Sequence, residues 1–231
     1  MGNIIAIGGG FEGAALYPLA RFIIKLAGKE KPNYLYIPTT SYDIMDRDGV
    51  AVFSKSGCRV ETLFLTHPYI TEEIIADKIR RADIIHVPGG NLRFCIETWR
   101  ETHADRYLRE AFEAGKTLFG SSSGSMCWFR KGYDNCGPDD SFMFTDGLRL
   151  LPYCNVPHYQ SGAWQEYNSH AEEAGISTVA CENDAAVCCL DGKWSLFVSG
   201  VRPDARAWFF DAERNYERFD LTAHPEILEK L

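Results

Sequence analysis

The chain has 231 residues, of which 45% are hydrophobic, with eight cysteines and a formal net charge of −8. That length fits one α/β domain, 1–231, with a sizeable core. The acidic balance argues against a nucleic-acid surface, which would carry a basic patch, and no apolar run is long enough to span a membrane. The N-terminus enters a strand pattern at once, without the basic segment, apolar segment and cleavage site of a signal peptide. A cytoplasmic protein is therefore expected, with Cys58, Cys95, Cys127, Cys136, Cys154, Cys181, Cys188 and Cys189 reduced and mostly in the core. No Cys-x-x-Cys pair or His/Cys cluster at zinc spacing occurs, so no structural metal and no cofactor are expected.

In chain order, residues 3–7 read as a first strand ending at Gly8-Gly9-Gly10. The run Gly8 to Gly13 contains Gly-x-Gly-x-x-Gly, but Glu12 would repel a pyrophosphate. The glycines read better as a loop that neighbouring backbone approaches closely. A helix is predicted over 18–27, with Leu19, Phe22, Ile23 and Leu26 on one stripe and Gly28 as its stop. Residues 34–37 form a second strand stopped by Pro38, 50–56 the end of a helix, and 59–65 a third strand. Thr71 is a predicted N-cap, with Glu72 and Glu73 in the first turn of a helix reaching about 81. Residues 82–87 form a fourth strand, followed by Pro88-Gly89-Gly90-Asn91 and two helices, through 93–96 and over 104–114. Strand and helix alternate with crossovers long enough for parallel neighbours. The predicted fold is therefore α/β, a doubly wound, mostly parallel sheet. Its ligands should bind beyond the carboxyl ends of the strands, where the loops at Gly8, Thr39, Gly89 and Ser122 open together.

The chain is organised around 117–128. The buried strand Thr117-Leu118-Phe119 meets Gly120-Ser121-Ser122-Ser123-Gly124, a Gly-x-Ser-x-Gly pattern, before a segment that could open a helix. This is the context of a nucleophile elbow, with Ser122 at the tip of a strained turn. A Gly/Ser turn or a phosphate-binding loop is the bland alternative. Residues 130–146, rich in Gly, Asn, Pro and Asp, read as an irregular excursion. A helix over 164–174, strands at 179–181, 185–190, 194–199 and 207–211, and a two-residue hairpin turn at Asp191-Gly192 make the C-terminal part antiparallel.

A serine nucleophile needs a base and the base needs an orienting partner. His158, after Pro157 in an irregular segment, is the best-placed histidine; His86, inside a strand, reads as a satisfied core residue. The acid candidates are Asp134, Asp139 and Asp140, all between Ser122 and His158. The backbone N–H of Ser123 and one from Gly89-Gly90 could form an oxyanion hole.

Three segments together resemble the peptidase E family of serine peptidases, which has a flavodoxin-like fold similar to class I glutamine amidotransferases. They are Val87-Pro88-Gly89-Gly90-Asn91, Gly120-Ser121-Ser122-Ser123-Gly124-Ser125 with Cys127-Trp128-Phe129 typical of one branch, and Gly147-Leu148-Arg149-Leu150-Leu151-Pro152 leading to Pro157-His158-Tyr159. The resemblance implies hydrolysis of dipeptides or short peptides through a Ser-His-Asp triad. It makes Ser122 the nucleophile, His158 the base, Asp140 the acid with Asp134 as alternative, Gly90 and Ser123 the oxyanion donors, and Asn91 and Tyr159 substrate contacts. The implied partner is a small peptide substrate, with a homodimer left open. The sequence departs from the family pattern in two respects. The alanine after the nucleophile is Ser123, and 159–181 holds no arginine or lysine to meet an aspartyl carboxylate. Arg93, Arg130, Lys131 or Arg202 would have to substitute, or the substrate is not aspartyl. A catalytically silent peptide-binding protein on the same fold is the alternative. An amidotransferase is disfavoured because the elbow residue is serine.

Overall fold

The computed structural model describes residues 1–231. Its first sheet is built from β1 (Asn3–Ile7), β2 (Asn33–Tyr36), β3 (Arg59–Thr62), β4 (Ile84–Val87) and β5 (Thr117–Ser121). All of their mutual pairings are parallel. The connecting helices are α1 (Leu16–Leu26), α2 (Arg47–Lys55), α3 (Glu72–Arg81), α4 (Leu92–Glu101) and α5 (Ala104–Glu113). Short apolar runs such as Ile4-Ile5-Ala6-Ile7 suit this sheet because both of its faces are covered. Alternation along β1 sends Ile5 and Ile7 to the core under α1 and α2, and Ile4 and Ala6 to the larger core under α3, α4 and α5. Thr71 caps α3 as its sequence predicts, its hydroxyl accepting from the Ile74 N–H.

After the elbow the chain forms the four-residue α6 (Ser123–Met126) and then departs from the single sheet expected. A second sheet of six strands follows: β6 (Phe129–Asp134), β7 (Met143–Asp146), β8 (Leu151–Val156), β9 (Thr178–Cys181), then β12 (Ala207–Asp211) and β13 (Glu217–Asp220). The stretch expected to be irregular therefore holds a hairpin, β6 and β7, around the turn at Pro138–Asp140. The helices α7 (Gly162–Gln165) and α8 (Tyr167–Ala174) follow β8. The strands β10 (Ala185–Leu190) and β11 (Lys193–Val198) return to the first sheet as an antiparallel ribbon beside β1. Their turn has φ 48° at Asp191 and 79° at Gly192, the two positive values of the predicted hairpin type.

The sheet orders are β11-β10-β1-β5-β4-β2-β3 and β13-β12-β9-β8-β6-β7. The second sheet turns one face, through Phe129, Leu151, Val179 and Phe209, into the larger core. Its other face packs Tyr133, Val156 and Phe210 against Tyr167 and Ala171 of α8. The two sheets thus share a core, and the carboxyl ends of β1, β4, β5 and β8 meet beside it. All eight cysteines are unpaired, seven of them buried and Cys136 half-buried. No helix is long and apolar enough to cross a membrane.

Candidate active site

The carboxyl ends of β1, β4 and β5 in the first sheet and of β8 in the second deliver the site. β5 ends in the elbow, where Ser122 adopts φ 56° and ψ −128°, a region costing an L-residue about 1–3 kcal/mol unless the surroundings enforce it. Packing enforces it here. A Cβ on Gly120 would fall 2.0 Å from the Gly124 carbonyl oxygen, so the turn closes only because residue 120 has no side chain. The Ser122 N–H donates to the Ile7 carbonyl at 3.1 Å, tying the elbow to the end of β1.

His158 follows β8. Its N–H donates to Gly8 O at 2.9 Å, bridging the second sheet to the β1 loop. Its Nε2 lies 2.8 Å from Ser122 Oγ and its Nδ1 lies 2.6 Å from Asn183 Oδ1. Gly9 makes room for this pair: a Cβ there would sit 2.4 Å from both the His158 ring and Asn183 Oδ1. The triple-glycine run of the sequence thus accommodates the histidine and the 182–184 turn, in keeping with the close backbone approach predicted for it. Asn183 is itself held, its N–H donating to Gln160 Oε1 at 2.8 Å. The neighbouring Asp184 accepts from the Phe11 N–H and donates its own N–H to Gly9 O.

The partner of His158 is therefore not an aspartate between Ser122 and His158. Asp140 lies at the exposed tip of the β6–β7 hairpin and makes no hydrogen bond to the histidine. Asp134 is buried at the end of β6 and turned the other way. Its Oδ2 accepts from the Leu92 N–H at 3.0 Å and lies 3.2 Å from Ser123 Oγ, whose hydroxyl is also 2.6 Å from the Gly90 carbonyl. Burial pushes the Asp134 carboxyl above its ordinary range, against the lowering effect of the Leu92 and Ser123 contacts. Asp134 and Ser123 thus join the elbow to the Gly89-Gly90 loop.

Two backbone N–H groups at that junction have no acceptor within the protein. The Gly90 N–H makes no hydrogen bond within the protein, and the Ser123 N–H, in the first turn of α6, has no intrahelical acceptor. Gly89 packs directly on Ser122. The two expected substrate contacts are otherwise engaged. Asn91 caps α4, its Oδ1 accepting from the Phe94 N–H at 2.8 Å. Tyr159 is 1% exposed, with its hydroxyl donating to Asn168 and accepting from Arg218. Of the cations proposed to replace the missing arginine, Arg93 pairs with Glu97, Lys131 with the Ala174 carbonyl and Arg202 with Glu182, while Arg130 is exposed on β6 and its side chain makes no hydrogen bond or ion pair.

Sequence reasoning missed Asn183 as the partner of His158. Asn183 carries no local signal beyond standing in a tight turn. His86, read as a satisfied core residue, bonds through Nδ1 alone, to the Tyr34 hydroxyl, and lines a cavity beside the elbow. Burial lowers its pKa from 6.5 to about 3.

A strained serine on a strand-to-helix turn, hydrogen-bonded to a histidine at the carboxyl edge of a mixed α/β fold, defines the class as hydrolase-like. The model of peptidase family S51 matches residues 4–204, and the chain belongs to that family. It is 32% identical over 166 residues to an uncharacterised peptidase of Bacillus subtilis (strain 168), YgaJ, covering 69% of each chain. It is 28% identical over 127 residues to peptidase E of Pasteurella multocida (strain Pm70), covering 54% of each. The fold is shared with a peptidase from an acI-B1 actinobacterium, with a TM-score of 0.73 at 16% identity over 95% of this chain and 94% of that one. It is shared also with a putative peptidase E protein of Listeria monocytogenes EGD-e, with a TM-score of 0.65 at 22% identity over 86% and 98%.

Proposed function

We propose that this peptidase is of the serine type and hydrolyses dipeptides or short peptides, with Ser122 as nucleophile, His158 as general base and Asn183 orienting the base. The 2.8 Å contact between Ser122 Oγ and His158 Nε2 carries the reading. Asn183 Oδ1 accepts the Nδ1–H of His158, which leaves the Nε2 lone pair facing the serine hydroxyl. Ser122 Oγ attacks the scissile carbonyl while its proton passes to Nε2. The oxyanion forms opposite the Gly90 and Ser123 N–H groups, which are fixed before the reaction and need no reorganisation. The imidazolium then protonates the leaving amine, and the acyl-enzyme is hydrolysed by water activated at the same nitrogen.

A fluorophosphonate probe tests this directly. It should label the wild type at Ser122 and fail on Ser122→Ala and His158→Ala. Ser122→Ala should also remove dipeptide hydrolysis, while circular dichroism stays that of the wild type, because the change is small and lies on a turn at the sheet edge. Wild-type turnover in Ser122→Ala would refute the assignment, and a folded wild type that never labels would favour a binding protein.

A further inference from the structure

A cavity of about 710 Å³ opens between α1, α2 and the carboxyl edge of the first sheet, within the roughly 300–1,000 Å³ typical of small-molecule sites. Gly89 and Ser121 are part of its wall. Each immediately precedes a residue of the proposed machinery, Gly90 and Ser122. The cavity therefore shares a wall with the site, one residue from the nucleophile along β5.

Its chemistry is uneven. The inner walls are aromatic: Phe53 and Phe119 lie with centroids 5.4 Å apart, and the His86 ring stacks on Phe119 at 4.1 Å and 11°. His86 Nδ1 is taken by the Tyr34 hydroxyl at 2.5 Å, whereas Nε2 has no partner in the protein. Burial keeps the imidazole neutral, so Nε2 meets an occupant as an uncharged hydrogen-bonding group. The rim carries the exposed carboxylates of Glu12, Asp46 and Asp48 against the single cation Lys55.

We propose that this cavity receives the acyl-side side chain of the substrate and selects a large, uncharged side chain ending in a hydrogen-bonding group, tyrosyl being the type, with His86 Nε2 as the specificity-determining contact. The proposal rests on the serine-peptidase reading for its orientation. A phenolic hydroxyl both donates and accepts, so it pairs with Nε2 whichever tautomer Tyr34 enforces, and its ring gains the aromatic walls. A carboxylate would lose hydration with no cation inside and three carboxylates at the rim. An ammonium or guanidinium would end against a neutral imidazole that cannot offset its desolvation. The strand that carries the Gly89-Gly90 loop thus also carries the selectivity contact, two residues before Pro88.

The test uses Tyr-Leu, Phe-Leu, Asp-Leu and Lys-Leu. Catalytic efficiency is measured on the wild type, and binding by calorimetry on Ser122→Ala, which reports on the cavity even without turnover. Tyr-Leu should exceed Asp-Leu and Lys-Leu by about tenfold or more, and Phe-Leu by roughly three- to tenfold, the worth of one neutral hydrogen bond. His86→Phe should erase the difference between Tyr-Leu and Phe-Leu. Because that change strips buried Tyr34 of its partner, Ala51→Trp at the cavity wall is the second variant. It should weaken Tyr-Leu binding about tenfold or more while fluorophosphonate labelling of Ser122 persists. Preference for Asp-Leu or Lys-Leu, equal handling of Tyr-Leu and Phe-Leu by the wild type, or Ala51→Trp without effect overturns the proposal. Loss of labelling in the wild type instead marks failure of the serine reading; Tyr-Leu binding to Ser122→Ala that Ala51→Trp weakens would still uphold the cavity, and no such binding would overturn it.

Discussion

His158 sits at φ 51° with its ring between two oxygens, Ser122 Oγ on one side and Asn183 Oδ1 on the other. In the proposed reaction the amide holds one tautomer, but it carries no charge to stabilise the imidazolium that would form as Ser122 attacks. A carboxylate in its place would do both. Asn183→Asp should therefore shift the acidic limb of the kcat/KM profile to higher pH relative to the wild type, and raise kcat on its plateau. Asn183→Ala should lower kcat by about a hundredfold, within the range general-base positioning supplies, with KM nearly unchanged. A pH profile in Asn183→Asp that overlays the wild type would show that residue 183 does not face the catalytic imidazole in solution. Ser122 and His158 were legible because their neighbours constrain them: glycines on both sides of the serine, proline before the histidine. Asn183 was not, because its partner His158 lies 25 positions away and Gln160 and Gly9, which shape the contact, leave no mark near it in sequence.

Asp134 shows how elements rather than residues hold the proposed oxyanion donors. It ends β6, accepts from the first N–H of α4 and faces the first residue of α6, so one buried side chain spans three elements. Its carboxyl is raised by burial. The folded state thus binds the proton more tightly than the unfolded chain, and stability falls as pH rises through the window above the ordinary carboxyl value. Asp134→Asn keeps an acceptor for the Leu92 N–H and adds a donor toward Ser123 Oγ. At pH 7 it should be at least as stable as the wild type in urea unfolding. Asp134→Ala leaves the Leu92 N–H without an acceptor and should cost about 1–3 kcal/mol, with kcat reduced because the Gly90 loop loses its tie to the elbow. Equal stability of Asp134→Ala and the wild type would remove this role. The alternating strands and helices of the first half were readable from period and caps. β6 and β7 were not, since Gly132, Asn135, Gly137 and Pro138 crowd a hairpin whose β6 includes Arg130 and Lys131. The strands exist because one face of their sheet completes the larger core.

Over the whole molecule, acid should act through His86. Its pKa falls from 6.5 to about 3 because its ring is enclosed. The unfolded chain therefore binds the proton first, and the stability that His86 contributes above pH 6.5 is lost as pH falls toward 3. The slope of unfolding free energy against pH in that window should be smaller in His86→Phe than in the wild type. Parallel curves would place the acid sensitivity elsewhere.

The molecule's charge bears on the substrate in the same direction as the cavity. A formal charge of −8 repels acidic peptides at long range, and salt screens that part. At short range, Arg93, Lys131 and Arg202 each have an acceptor of their own, Arg130 is exposed on β6 without a side-chain partner, and the cavity lining carries three carboxylates against Lys55. A charge-assisted bond to a substrate carboxylate would contribute about 1.5–3 kcal/mol, or roughly tenfold to more than a hundredfold in discrimination. Without one, Asp-Leu should be preferred over Asn-Leu by less than about tenfold in kcat/KM, or neither should be cleaved well. Raising the salt concentration should raise kcat/KM for Asp-Leu relative to Asn-Leu by relieving repulsion of the charged substrate. A preference for Asp-Leu of about a hundredfold would mean that a cation enters the site, either the unpaired Arg130 or a guanidinium that leaves its present partner. Arg202 is then the first residue to replace, since its contact with Glu182 is the loosest of the three at 3.9 Å and Glu182 adjoins Asn183. Arg202→Ala would collapse that preference if the swing occurs and leave it intact if another cation is responsible.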